Sequence, residues 1–255
     1  MKEKHEGVCH ICGKYGELTF EHIPPEKAFN SQRAKIYNGD EALKRSKGEP
    51  SRYCNSQQGM GKYSLCESCN NNTGTWYAQT YCDFAMDVIK SLHKNEPLEH
   101  GDVVEFTFRG CGVLHIVKQV KAMFCSLLPY NEVQRLGFDK LLLEKESNTV
   151  NRELFDLRMY LTPIETGQLM CGPTGVLIKK DKGIETVVVA DLGVYPFGFI
   201  LNLTPEIPVK YGGSIMDMFN LKYDEKRDFK LSLTYLERVS NILPLPLIFK
   251  ELPNQ

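Results

Sequence analysis

No stretch of this 255-residue chain stays apolar for the roughly 18 residues that a membrane-spanning helix needs. A helical membrane protein is therefore not expected. The opening residues Met1-Lys2-Glu3-Lys4-His5-Glu6 contain no apolar leader segment, so a soluble cytoplasmic protein is the expectation. Net charge is also nearly absent, at −1, which excludes a chain that is basic throughout; any nucleic-acid contact must come from a local patch. Tryptophan is scarce, and the single Trp76 reads as core. There is no internal repeat, which argues against a solenoid. What is present is ordinary for a folded protein: 42% apolar and 25% charged residues, enough for a packed core.

The nine cysteines, without a secretory leader, speak against a disulfide framework. Four of them form two Cys-x-x-Cys pairs, Cys9/Cys12 and Cys66/Cys69. Cys54, Cys82, Cys111, Cys125 and Cys171 are scattered and read as reduced, mostly buried thiols. The pairs divide the chain into two expected domains. Residues 1–95 are rich in Cys, Gly and Asn, and residues 96–255 contain longer periodic segments with a Pro/Gly-interrupted linker near 94–102. Between Glu26 and Lys62 eight basic residues (Lys27, Arg33, Lys35, Lys44, Arg45, Lys47, Arg52, Lys62) face four acids. That excess suits either a solvated loop or phosphate contact.

In the first region Cys9–Gly13 reads as a knuckle turn, with Gly13 free to take a positive φ. Residues 17–23 alternate as a short strand that Pro24-Pro25 ends. Residues 29–61 show no period, and such a long irregular stretch is uncommon unless functional or mobile. A helix is expected from Glu67, and a second helical run after Thr75. The second region reads as α+β. Strands are expected at 103–108, 155–161, 194–203, 229–233 and 245–249, with an amphipathic helix marked by Val113 to Leu127. A hairpin is expected across 175–190, where Asp181-Lys182-Gly183 makes the turn. His115 reads as a polar-face or interface residue.

Two knuckles supply four thiolates, the ligand set a tetrahedral structural zinc prefers. Such a site binds with roughly 10–16 kcal/mol, enough to fold a segment poor in core residues. His5 and His10 are spare donors. Glu21-His22 sets a carboxylate beside an imidazole. Because strand neighbours point to opposite faces, Glu21 suits a metal and His22 a water. Asn70, following Cys69, falls in the first turn of a helix, where its amide oxygen suits a hard cation.

Cys9–Gly13, Glu21-His22-Ile23-Pro24-Pro25 and Leu65–Asn71 together resemble the HNH endonucleases, in particular their four-cysteine zinc subgroup. The resemblance covers residues 8–75, under a third of the chain. It implies a zinc-stapled ββα-metal (treble-clef-like) nuclease domain at 1–95, followed by a larger α+β domain at 96–255. It also implies hydrolysis of phosphodiester bonds in DNA, with RNA as a further partner, His22 as general base, and Glu21 and Asn70 holding a catalytic Mg²⁺ or Mn²⁺. The family places a central Asn nine positions before the last motif residue, where this chain has Gly61. Asn55, Gln57 and Gln58 are the nearest amides, and Gln58 is the expected substitute. The 96–255 region is expected to grip substrate, to bind a protein partner or small-molecule activator, or to form a homodimer. Its combination with an HNH segment resembles bacterial phage-defence effectors. The alternative is a non-catalytic zinc module that binds nucleic acid or protein; it would need the four cysteines but neither Glu21-His22 nor Asn70.

Overall fold

A computed structural model of the chain describes residues 4–46, 48–93, 97–163, 168–180, 183–209, 211–236 and 248–251. Its elements are mixed α and β, as the sequence periods predict. The first region opens with β1 (Glu6–Val8) and β2 (Tyr15–His22), followed by β3 (Ala34–Tyr37), α1 (Gly39–Ser46), β4 (Cys54–Ser56) and β5 (Gly61–Cys66). A helical rod then runs from Glu67 to Leu92. It comprises α2 (Glu67–Thr73), a π-helical turn at Gly74–Ala78 and α3 (Gln79–Leu92). Two helices were expected here. Instead Thr73, Ala78 and the cap residue Gln79 all keep right-handed helical dihedrals, so the chain turns wide without breaking.

The second region contributes β6 (Val103–Cys111), α4 (Val113–Cys125), α5 (Tyr130–Arg135), α6 (Phe138–Leu143), β7 (Asp156–Leu161), β8 (Gln168–Lys180) and β9 (Gly183–Val194). After these come β10 (Phe197–Asn202), β11 (Gly213–Ser214), a 3₁₀ turn at Met216–Asn220, β12 (Arg227–Thr234) and β13 (Ile248–Glu251). The β8–β9 register closes on Lys180↔Gly183, as the turn residues predict. Of the strand expected at 245–249, residues 245–247 lie outside the described residues; so do linker residues 94–96.

Among the described residues the strands form three sheets. The small sheet has the order β1-β2-β5, the large one β11-β7-β10-β9-β8-β13-β3-β4, and β6 pairs with β12. Inward-facing Met159, Phe197, Phe199 and Leu192 pack against the helices, with the rings of Phe84 on α3 and Phe197 on β10 stacked at 4.9 Å. The core does not stop at the expected boundary near residue 95. One cluster holds Cys9, Ile11 and Leu65 together with Val117, Phe124 and Phe197, and β3 and β4 join the large sheet through β13.

Helix α4 also departs from expectation. Rather than one apolar face and one wet face, it is buried all round, with Lys118, Gln119 and Lys121 at 0%, 1% and 0% exposure. Lys118 Nζ donates to the carbonyls of Glu144 and Lys145 just past the end of α6, at 3.0 and 2.8 Å. Those carbonyls lie at the negative end of a helix, where a cation is stabilised. Lys121 Nζ sits 3.7 and 3.5 Å from the ring centres of Phe138 and Phe155. Burial pushes its amine well down.

Candidate metal centre and active site

The two knuckles meet although 53 residues separate Cys12 from Cys66. In the first, Gly13 takes φ 71°, its N–H donates to Cys9 O at 2.9 Å, and the Cys9 N–H donates to Lys14 O at 2.9 Å. The second straddles the end of β5, with Cys66 extended and Cys69 in the first turn of α2. The β2–β5 register brings the knuckles together: Leu18 pairs with Cys66, and the His10 N–H donates to Ser64 O at 2.9 Å. All four ligand sulfurs lie within 4.8 Å of one another, and Cys12 Sγ is 3.7 Å from Cys66 Sγ. A tetrahedron of 2.3 Å zinc–sulfur bonds has edges of roughly 3.8 Å, so the cluster fits a metal such as zinc. The Cys69 thiol beside it holds the Cys9 thiol below the usual thiol range. His5 and His10 stay outside the cluster. His5 stacks on Tyr63, and His10 Nδ1 lies 2.9 Å from Cys125 O. None of the nine cysteines is disulfide-bonded; among the scattered five, Cys54 is exposed and Cys111 half-buried.

The knuckles are attached to the end of α4. Besides the His10–Cys125 contact, Ser64 Oγ donates to Ser126 Oγ at 2.8 Å. The ring of Tyr130 covers Gly13 so closely that a Cβ there would lie 2.3 Å from Tyr130 Cζ.

Next to this cluster stand the polar residues singled out by the sequence. Glu21 is 7% exposed and has no hydrogen bond or ion pair among the described residues. Lys62 faces it in register across β2 and β5, yet the two do not pair. Burial pushes the Glu21 carboxyl up to about 8 and the Lys62 amine down. A carboxylate so placed lacks the cation that would stabilise its charged form. Asn70, on α2, reaches back to β2. Its Nδ2 donates to Thr19 Oγ1 at 2.9 Å and to Phe20 O at 3.2 Å, and Thr19 Oγ1 donates in turn to Leu65 O at 3.0 Å. Because a carbonyl such as Phe20 O can only accept, the atom facing it must be the amide nitrogen. This fixes the flip and leaves Asn70 Oδ1 without a partner among the described residues. His22 is half-buried on the other side of β2, its ring edge-on to Phe20 at 5.0 Å. A carboxylate and a neutral amide oxygen are hard donors that suit Mg²⁺ or Mn²⁺, which keep several waters when bound by few protein groups.

The chain as a whole matches no family model, no curated protein and no solved structure.

Gln58 does not brace the loop after His22. Its side chain is exposed, and its backbone N–H donates to Ser56 Oγ at 3.3 Å. The bracing amide is Asn30, which is fully buried. Asn30 Nδ2 donates to Pro24 O and Met60 O, both at 2.7 Å, and its Oδ1 accepts the Met60 N–H at 2.7 Å. The segment after His22 is thus pinned to the start of β5. Phe29 turns Asn30 inward by taking φ 62°, a left-handed conformation that costs a bulky residue about 1–3 kcal/mol. Gly61 cannot hold an amide instead. A Cβ there would lie 2.2 Å from Glu21 O and 2.7 Å from the Phe20 ring. The one signal available in the sequence was Gly59-Met60-Gly61, since paired glycines mark a close approach of other groups. A Cβ on Gly59 would lie 1.9 Å from Asn30 O.

His115 is far from this chemistry in the chain and at the opposite end of α4. It borders a cavity of about 290 Å³ lined in part by Asp83, Asp87, Arg109 and Tyr223. Both ring nitrogens are engaged, Nδ1 with Thr80 Oγ1 at 3.2 Å and Nε2 with Tyr223 O at 2.9 Å, and burial lowers its pKa. These contacts make it a packing residue.

Proposed function

We propose that this chain is a metal-dependent endonuclease of the HNH type that hydrolyses phosphodiester bonds in DNA. The carrying observation is the buried, uncompensated Glu21 carboxyl on β2, the strand to whose Thr19 hydroxyl and Phe20 carbonyl the Asn70 amide nitrogen is tied, so that the Asn70 oxygen stays open. The chain order of β2, β5 and α2 around a four-cysteine cluster supports the same reading. A structural zinc in that cluster would hold β5 and α2 in place. Glu21 and Asn70 would hold a Mg²⁺ or Mn²⁺ ion, which when bound neutralises charge on the scissile phosphate and the leaving 3′-oxygen.

The chain's own residues divide the work. His22 accepts a proton from water on a ring nitrogen, which makes the oxygen nucleophilic for in-line attack on phosphorus. Asn30 fixes the loop that follows His22, and Thr19 fixes the rotamer of Asn70. Residues 96–255 supply six of the eight strands of the larger sheet and seat the knuckles. Incubation of the full chain with plasmid DNA, with and without Mg²⁺ or Mn²⁺, tests the reading. His22→Ala is expected to lose about 10²–10⁴ in rate while keeping zinc and fold. Glu21→Ala and Asn70→Ala are expected to raise the Mg²⁺ concentration needed. A wild-type chain with full zinc and no cleavage under any ion would leave the non-catalytic zinc module as the better description.

A further inference from the structure

The outer face of the small sheet carries four rings in a row. His5 and Tyr63 stack with centroids 3.6 Å apart, Tyr63 meets Phe20 at 5.3 Å, and Phe20 meets His22 at 5.0 Å. Phe20 and His22 stand two apart on β2 and so share a face, while Tyr63 and Gly61 lie opposite them in register. Thr19 and Glu21 alternate with Phe20 and His22 onto the opposite face, where Thr19 meets Asn70 of α2. Tyr63 is 41% exposed, and His5, Phe20 and His22 are each partly exposed. A cross-strand ring pair stabilises a sheet, which accounts for Phe20 with Tyr63. It does not account for a row that begins at His5, keeps Tyr63 in solvent and ends on the proposed general base.

We infer that this row is a stacking platform for unpaired bases of the DNA strand whose phosphate is presented to His22. The inference rests on the nuclease reading and adds to it a substrate class, single-stranded segments. Every base has a π-face, so aromatic rings bind unpaired strands with little sequence preference. Rings borne on a sheet face take two or three successive bases in this way. Bases in a duplex are stacked on one another and offer no free face. Charge agrees at the far end of the row. Lys4, next to His5, pairs with Glu17 at 3.3 Å, but the two side chains are 72% and 60% exposed. So loose a pair leaves the ammonium available to a phosphate.

The test is binding of short fluorescein-labelled oligonucleotides to the full chain by anisotropy, with no divalent ion added. One sequence is used as single-stranded DNA, duplex DNA and RNA. Wild type should prefer the DNA single strand. Tyr63→Leu, which keeps apolar bulk but removes the ring, should weaken that binding about tenfold and leave duplex binding alone. Tyr63→Phe should bind as wild type does. Equal binding by the Leu and Phe variants, a parallel loss on duplex, preference for RNA, or no single-strand binding by wild type would each overturn the platform. Plasmid cleavage separates the two ideas. Cleavage with unaltered binding in Tyr63→Leu sinks the platform alone, and ring-dependent binding without cleavage sinks the nuclease reading alone.

Discussion

Replacing Asn30 by Ala removes one side chain that satisfies three buried backbone groups. Pro24 O, Met60 O and the Met60 N–H each lose a 2.7 Å partner where Asn30 and Met60 are 0% exposed; Met60 O keeps the Ile23 N–H at 2.9 Å, so two groups are left unpaired. A buried group left unpaired costs about 1–3 kcal/mol. Water entering the space left by the amide recovers part of that, so a net loss of about 2–4 kcal/mol is expected. Urea unfolding measures it through the shift in midpoint at unchanged slope. Asn30→Asp should be at least as damaging near neutral pH, because it sets a carboxylate against two carbonyl oxygens. Gln58→Ala should stay within about 0.5 kcal/mol of wild type, as an exposed side chain without a partner does. Adding Gly61→Asn to Asn30→Ala should not restore stability, since Phe20 and Glu21 O fill that space. If the nuclease reading holds, cleavage by Asn30→Ala should fall about 100-fold, the order that misplacement of a catalytic group by an ångström brings. A stability loss under about 1 kcal/mol for Asn30→Ala would refute the reasoning, whatever the activity.

Metal analysis of the wild-type chain should find close to one zinc per chain, and Cys66→Ser should lose it; two ions per chain, or zinc retained in the variant, would contradict the cluster as drawn. Asp191 gives a pH test. It is wholly buried on β9, its Oδ1 accepts a long 3.4 Å bond from Tyr160, and burial raises its pKa to about 7. The native state therefore keeps a proton that the unfolded chain releases near pH 4, so stability falls as pH rises from about 4 to about 7. Asp191→Asn should flatten that slope and gain up to about 4 kcal/mol relative to wild type at pH 8 compared with pH 4. Parallel stability–pH curves for the two proteins would show that the carboxyl titrates normally.

Features set by local spacing were legible in the sequence, and those that depend on distant pairing were not. Cysteine spacing marked both knuckles, alternation up to Pro24 marked β2, and the sequence Asp181-Lys182-Gly183 marked the β8–β9 pairing, which reaches Lys180↔Gly183. Residues 29–61 looked irregular because β3 and β4 are short, and β3 pairs on its other side with β13, some two hundred positions away (Tyr37↔Phe249). Such a strand has no period long enough to read. The burial of α4 was hidden for another reason. Lys118 and Lys121 look like a wet face in any window, and only the carbonyls past α6 and the rings of Phe138 and Phe155 make their burial tolerable. Asn30 escaped notice because an isolated Asn in a segment without a period carries no mark of burial.

The attachment of the knuckles to the end of α4 would let a metal bound at the four cysteines act on how much folded protein there is. Through His10, Ser64 and Tyr130, a metal held by the four sulfurs would steady the helix that lies at the centre of the larger core. A ligand that binds only the native state adds about 4 kcal/mol when present at a thousand times its dissociation constant. For a protein of ordinary marginal stability, that is the difference between a chain that persists and one that is degraded. Metal supply during synthesis would then set the abundance of the whole molecule, including parts that never approach the ion.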